Sequence, residues 1–199
     1  ENITPKINNI KVGPYNDETS DMGPVVSKEA FERINGLIKS GVEEGANLVV
    51  DRRNVDLQGY ENGYFVGPCL FDNVKDNMRI YKEEIFGPVL SIVRAKTYEE
   101  GLKLVKENPY GNGCSIFTRD GDTARNFSNE ANVGMIGVNI PIPVPVAYFS
   151  FGGWKNSIFG GHNAYGMEGI RFYTNIKTIT TKWPKGIREG AEFKMPILG

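Results

Sequence analysis

At 199 residues and a formal net charge of −1, the chain can bury a real core, as one domain or as a domain with an appendage. Its 23 basic and 24 acidic residues are scattered, which excludes the basic footprint of a nucleic-acid binder. One histidine (His162) and two distant cysteines (Cys69 and Cys114) supply neither a His/Cys zinc site nor a disulfide framework, and a reducing intracellular compartment follows.

Residues 1–26 carry Pro5, Gly13, Pro14, Gly23 and Pro24 among polar residues and read as an irregular lead-in. The chain begins at Glu1 without an initiator Met or signal peptide, and its first dozen residues resemble mid-protein sequence, so a fragment is expected. Ser27 is a good N-cap for a helix whose apolar residues (Ala30, Phe31, Ile34, Leu37, Ile38 and Val42) fall at helical spacing, with Gly45 as its stop. Leu48–Val50 reads as a strand. Residues 51–63 are charged and Gly-bearing, an exposed excursion before Tyr64-Phe65-Val66. Cys69 sits in an apolar neighbourhood and reads as a small buried hydrophobe.

The next stretch is Lys82-Glu83-Glu84-Ile85-Phe86-Gly87-Pro88-Val89. A carboxylate can accept two hydrogen bonds from a vicinal diol, as acidic side chains do when they grip a nucleotide ribose. An aromatic two residues on, in extended backbone, would point to the same side and could pack on a flat heteroaromatic ring. Gly-Pro then launches a strand over Pro88–Val93. From the residues alone, a plain turn before a buried strand is the commoner meaning of such spacing.

Thr97 with Glu100 forms a capping box for a helix running through Leu102 and Val105 to Asn108-Pro109. After a Gly111–Gly113 loop, Cys114–Thr118 is a short strand, and Cys114 has no local His to activate it. Asp120-Gly121 opens a short helix with Ala124, Phe127 and Ala131, and Val133–Asn139 makes another strand. Alternating strands and helices predict an α/β fold with a mainly parallel sheet and flanking helices.

From Asn132 to Trp154 no residue is charged, but Pro141, Pro143 and Pro145 at alternate positions deny a spanning helix its donors, so no membrane segment is expected. A strand end, a stiff proline run and the cluster Tyr148-Phe149-Ser150-Phe151-Gly152-Gly153-Trp154 could wall a small apolar pocket, or could be a packed core loop. His162 has nothing nearby in sequence to pair with and reads as a loop residue. Ile170–Trp183 places Ile170, Phe172, Thr174 and Ile176 on one face and reads as a long terminal strand, a hazard unless another chain or sheet covers it. From Pro184 a charged tail follows. Residues 1–165 are expected to form the main domain and 166–199 the terminal strand and tail.

The string around Glu84 and Phe86 resembles the Glu-x-Phe-Gly-Pro motif of the NAD(P)-dependent aldehyde dehydrogenase superfamily. Phe151-Gly152-Gly153-Trp154-Lys155 resembles that family's substrate-funnel string. The Gly137–Pro145 run is similar to its CoA-acylating methylmalonate-semialdehyde dehydrogenase branch. The resemblance spans about Val12 to Trp183 and implies the carboxy-terminal part of the catalytic domain plus an oligomerisation strand. It implies that Glu84 binds the nicotinamide-side ribose of NAD and that Phe86 contacts the nicotinamide region. Asn139, Phe149, Ser150 and Phe151 would then belong to the substrate funnel. It further implies a small aldehyde substrate, coenzyme A as acyl acceptor and a homo-oligomer (dimer or tetramer), in a bacterial cytoplasm or a mitochondrial matrix. No catalytic residue is expected in this chain, because the family's nucleophilic Cys lies upstream of the matched region, and no metal is expected. A hydrolytic aldehyde dehydrogenase fragment, or a non-enzymatic assembly module keeping the fold, are the alternatives.

Overall fold

The computed structural model describes residues 2–163, 165–181 and 183. They fall into two compact units, divided between Asn108 and Pro109.

In the first unit, α2 (Lys28–Glu43) starts where the sequence supplies a cap: the Ser27 hydroxyl accepts from the Ala30 N–H at 3.2 Å. It stops before Gly45, whose φ of +92° suits a residue without Cβ. Its stripe of Ile34, Leu37 and Ile38 is buried against a sheet of order β1-β2-β3. β1 (Asn47–Val50) runs antiparallel to β2 (Cys69–Val74), and β2 parallel to β3 (Val89–Val93). β2 is covered on both faces. Cys69 and Phe71 join the α2 cluster, while Leu70 packs with Val50 and with Ile7 of α1 (Thr4–Asn8). Coverage on both sides removes the polar–apolar alternation that marks a strand in sequence, so this central strand showed only as an apolar neighbourhood around Cys69.

Two bulges set which side chains face which cluster. Leu48 pairs with Phe71 but Val50 pairs with Leu70, so β1 carries an extra residue there. Leu48 and Val50, two apart, therefore enter opposite clusters. In β2 the pairing with β3 slips between Phe71 and Val74, where Asn73 takes φ +56°, and Val74 rejoins the cluster of Phe71. Beside this bulge the Arg94 guanidinium donates to both oxygens of Asp72 at 2.8 Å, and the Asn73 N–H adds a third bond. The arginine first, and then that N–H, pull the Asp72 carboxyl down to about 2.

The short α3 (Arg79–Lys82) precedes β3, and α4 (Tyr98–Glu107) follows it. The Thr97 hydroxyl accepts from the Glu100 N–H at 3.2 Å, as predicted, but the Glu100 carboxylate reaches the Lys96 N–H instead of the Thr97 N–H, displacing the capping box by one residue.

In the second unit β5 (Gly113–Ile116) and β6 (Met135–Val138) pair in parallel, and α5 (Gly121–Glu130), capped by Asp120, connects them. Pro143 of the proline run lies over this pair: a Cβ added to Gly113 would come 3.1 Å from its Cγ, and one added to Gly137 3.3 Å from its Cβ. β4 (Tyr110–Gly111) pairs antiparallel with β7 (Trp154–Lys155). The α/β class holds, with parallel pairs in both units and antiparallel pairs beside them.

The terminal strand expected over Ile170–Trp183 does not begin at Ile170. Gly166–Tyr173 is instead a helix, α6, and extended backbone starts only at Thr174 (φ −128°, ψ 153°). Met167 and Ile170 also fit helical spacing, and three to four residues per turn prevails there over alternation. Residues 174–181 are exposed and pair with no strand among the described residues. The charged tail expected from Pro184 lies outside the described residues. Among the described residues no helix is long and apolar enough to cross a membrane.

Candidate functional site

The loop between α3 and β3 carries the first pair of predicted site residues. Glu83 closes α3, and its carboxylate accepts from Arg79 Nε at 2.9 Å and Nη2 at 3.1 Å, so the arginine lowers its pKa. Glu84 is exposed, and among the described residues its carboxylate has no hydrogen-bond or ion-pair partner. Of the two adjacent acids, one is committed to a surface pair and the other is available. Ile85 is buried in the α2 cluster. Phe86 emerges again, with 77 % of its surface exposed.

Glu84 and Phe86 thus flank a buried residue and both are exposed, where the spacing predicted a common side of extended backbone. The backbone that achieves this is different. Phe86 is not extended but left-handed, with φ +48°, a conformation that is an outlier for a bulky side chain. Such strain persists where the surroundings over-determine the loop. Here Arg33 Nη1 donates to the carbonyls of Glu84 (3.1 Å) and Ile85 (2.7 Å), and Ile34 sits so close to Gly87 that an added Cβ would be 2.6 Å from its Cδ1. Only glycine fits there. A free carboxylate beside an exposed ring, on a loop held at both ends, can accept a diol and cover a planar heterocycle.

The remaining predicted residues lie in the second unit. Asn139, at φ +59°, brackets Thr118: its Oδ1 accepts from the Thr118 N–H at 2.9 Å and its Nδ2 donates to the Thr118 carbonyl at 3.0 Å. Its amide closes the end of the β5–β6 pair. Phe149 is exposed and lies against Tyr148, ring centroids 4.5 Å apart. The Ser150 hydroxyl donates to the Tyr165 carbonyl, and the Phe151 ring stacks on that of Tyr165 at 4.5 Å and 11°. Tyr165 therefore organises Ser150 and Phe151 into one turn, leaving Phe149 outward. Close approach favours glycine at Gly152 and Gly153, where an added Cβ would lie 2.4 Å from Asn163 Oδ1 and 2.5 Å from Ser157 Cβ, and requires it at Gly134, where a Cβ would lie 1.7 Å from the Gly152 carbonyl oxygen. A cleft of about 480 Å³ opens beyond this turn, lined by Gly153, Trp154, Lys155, Ile158, Asn163 and Glu168, and does not include Phe149, Ser150 or Phe151.

His162 does have a partner, contrary to its reading from sequence. Its Nδ1 lies 2.9 Å from Glu168 Oε2, and Arg171 binds the other oxygen of that carboxylate. The histidine, then the arginine, lower the Glu168 pKa. Glu168 and Arg171, one turn apart on α6, were hidden because their segment read as strand. Burial raises the thiol pKa of both Cys69 and Cys114, which disfavours the reactive thiolate at each.

The sequence pattern of the aldehyde dehydrogenase family matches residues 1–179. The chain belongs to that family. This aldehyde dehydrogenase chain is 52 % identical over 197 residues to the malonate-semialdehyde dehydrogenase of Pseudomonas aeruginosa, covering 98 % of the chain and 40 % of that protein. It is 48 % identical over 189 residues to the mitochondrial acylating methylmalonate-semialdehyde/malonate-semialdehyde dehydrogenase of Bos taurus, covering 95 % and 35 %. Among solved structures it superposes with a TM-score of 0.90 and 59 % identity on a Sinorhizobium meliloti protein described as a methylmalonate-semialdehyde dehydrogenase and crystallised with NAD, covering 94 % of this chain and 38 % of that one. The chain thus spans about two fifths, 40 % and 38 %, of the length of those bacterial relatives.

Proposed function

We propose that this chain is the carboxy-terminal part of an NAD-dependent, CoA-acylating semialdehyde dehydrogenase, which converts methylmalonate or malonate semialdehyde to propionyl-CoA or acetyl-CoA with loss of CO2. The observation that carries the reading is the outward pair Glu84 and Phe86, an uncommitted carboxylate beside an exposed ring on a clamped loop. In this reading Glu84 accepts the two hydroxyls of the nicotinamide-side ribose, and Phe86 limits where the nicotinamide can sit. Bound NAD supplies a hydride acceptor. The chain's part is to hold that acceptor at a fixed angle, since misplacement of a reacting group by about 1 Å can cost about a hundredfold in rate.

The nucleophilic thiolate comes, in this reading, from the rest of the polypeptide. Burial holds Cys69 and Cys114 in the thiol form, which supports that assignment. Phe149, Ser150 and Phe151 form part of the substrate funnel, with Tyr165 ordering the last two, and Asn139 anchors the start of that segment. The stretch after α6, with Ile176 93 % exposed, is read as the strand that another subunit of a homo-oligomer covers. The compartment is a bacterial cytoplasm or, for a eukaryotic source, the mitochondrial matrix.

The test is Glu84→Gln in the complete enzyme. Single-turnover NADH formation should slow while aldehyde KM and thermal midpoint stay put. Unchanged NAD affinity and unchanged turnover would refute the ribose role. Acyl-CoA formation that requires CoA separates the acylating reading from a hydrolytic one, whose product is the free acid. The chain alone should give no NADH, because a charge-assisted hydrogen bond of roughly 1.5–3 kcal/mol falls far short of the roughly 8 kcal/mol behind micromolar affinity.

A further inference from the structure

The exposed face of α2 is laced with helical ion pairs, Lys28 with Glu32 and Lys39 with Glu43, each at 3.6 Å. Arg33 departs from that pattern. Its charge is felt at Glu83, which pairs with Arg79, yet Arg33 forms no ion pair among the described residues. Its Nη1 instead bonds two successive backbone carbonyls, those of Glu84 and Ile85, across 51 and 52 positions of sequence. The next residue, Ile34, meets the other end of the same loop at Gly87. Two consecutive residues of one helix therefore grip both ends of the segment that presents Glu84 and Phe86. Between those grips the chain must pass from buried Ile85 to Gly87, and Phe86 takes its left-handed backbone in doing so.

We propose that Arg33 is a positioning residue for the nicotinamide side of the cofactor site. It holds the Glu84 carboxylate and the Phe86 ring at the spacing that ribose and nicotinamide require, and contacts neither itself. The proposal rests on the reading of Glu84 and Phe86 given above. Removing the guanidinium hands two carbonyls to water, lets Phe86 relax from φ +48° toward ordinary backbone, and uncouples ring from carboxylate. Helix and core remain, because Ile34, Leu37 and Ile38 do the packing.

The experiment uses the complete enzyme with Arg33→Ala, Arg33→Lys, Glu84→Gln and the Arg33→Ala/Glu84→Gln double variant. The readout is single-turnover NADH formation with ordinary and C1-deuterated aldehyde, beside NAD KM, aldehyde KM and thermal midpoint. Arg33→Ala should slow hydride transfer by about tenfold, the equivalent of one charge-assisted hydrogen bond, and enlarge the isotope effect while leaving aldehyde KM alone. Arg33→Lys should recover most of the rate, since an ammonium can still bridge two carbonyls. In the Glu84→Gln background the arginine change should add less than about threefold, because neighbours acting through one contact are not additive. A merely structural role would multiply through independently, and full multiplicativity overturns the proposal. So does an Arg33→Ala enzyme with unaltered hydride transfer while Glu84→Gln is slow. Should Glu84→Gln itself be silent, the ribose reading and this proposal fall together. If Arg33→Ala does not fold, Arg33→Gln carries the same test.

Discussion

Replacing Phe86 by glycine and, separately, by alanine turns the left-handed backbone into a measurable sign. Both substitutions delete the same ring, which is 77 % exposed and so contributes little by burial, and the comparison isolates the main chain. Holding a residue with a Cβ at φ +48° costs about 1–2 kcal/mol, which glycine avoids. Glycine gives back about 0.5–1 kcal/mol through the greater freedom of its unfolded chain. The net is about 0–1.5 kcal/mol in favour of glycine, or roughly 2–4 °C in midpoint per kcal/mol for a chain of this size. At an ordinary exposed loop position the order is reversed, with alanine ahead by about 0.5–1 kcal/mol. Urea unfolding of the two variants side by side, followed by far-UV circular dichroism, decides it. Alanine the more stable would mean that the loop is not held left-handed in solution, and the clamp by Arg33 and Ile34 would lose its purpose.

Other consequences follow from named contacts. The Asp72 carboxyl, lowered from 3.8 to about 2 chiefly by Arg94, makes a contribution to stability that is complete above the unfolded carboxylate's pKa and disappears as pH falls through the folded value. Arg94→Gln should therefore lower the unfolding midpoint at neutral pH and converge with the parent near pH 2; a constant gap across that range would refute the pairing. Asn139→Ala removes both amide bonds to Thr118 and should cost about 1–2 kcal/mol in chemical denaturation, since each hydrogen bond is worth about 1 kcal/mol. A variant as stable as the parent would show that the backbone alone closes the β5–β6 pair.

Local chemistry was legible wherever one residue announced it. Ser27, Thr97 and Asp120 each cap the helix that their position predicted, because capping is settled within one turn of chain. Glu84 and Phe86 are exposed on either side of buried Ile85, though not through the extended backbone their spacing suggested. The left-handed turn at Phe86 was not legible, since the two carbonyls before it are held by Arg33, 51 positions before Glu84 and 52 before Ile85. The central strand Cys69–Val74 gave no alternation because both its faces are covered, and its polar Asp72-Asn73 pair belongs to a bulge. At Ile170–Tyr173 alternation and helical spacing overlap in the same residues, and Met167, three before Ile170, continues the helical one.

The paired slips in β1 and β2 make length a guarded quantity in the first unit. Losing a bulged residue, Asn73 in β2 or one at the Leu48–Val50 step in β1, would restore plain alternation and leave Val74 and Val50 in their clusters, whereas losing an unbulged residue such as Leu70 would turn every residue beyond it to the opposite face. A change of length is thus absorbed at the two bulges or in the exposed stretch 58–62, and elsewhere in these strands it has to come in compensating couples.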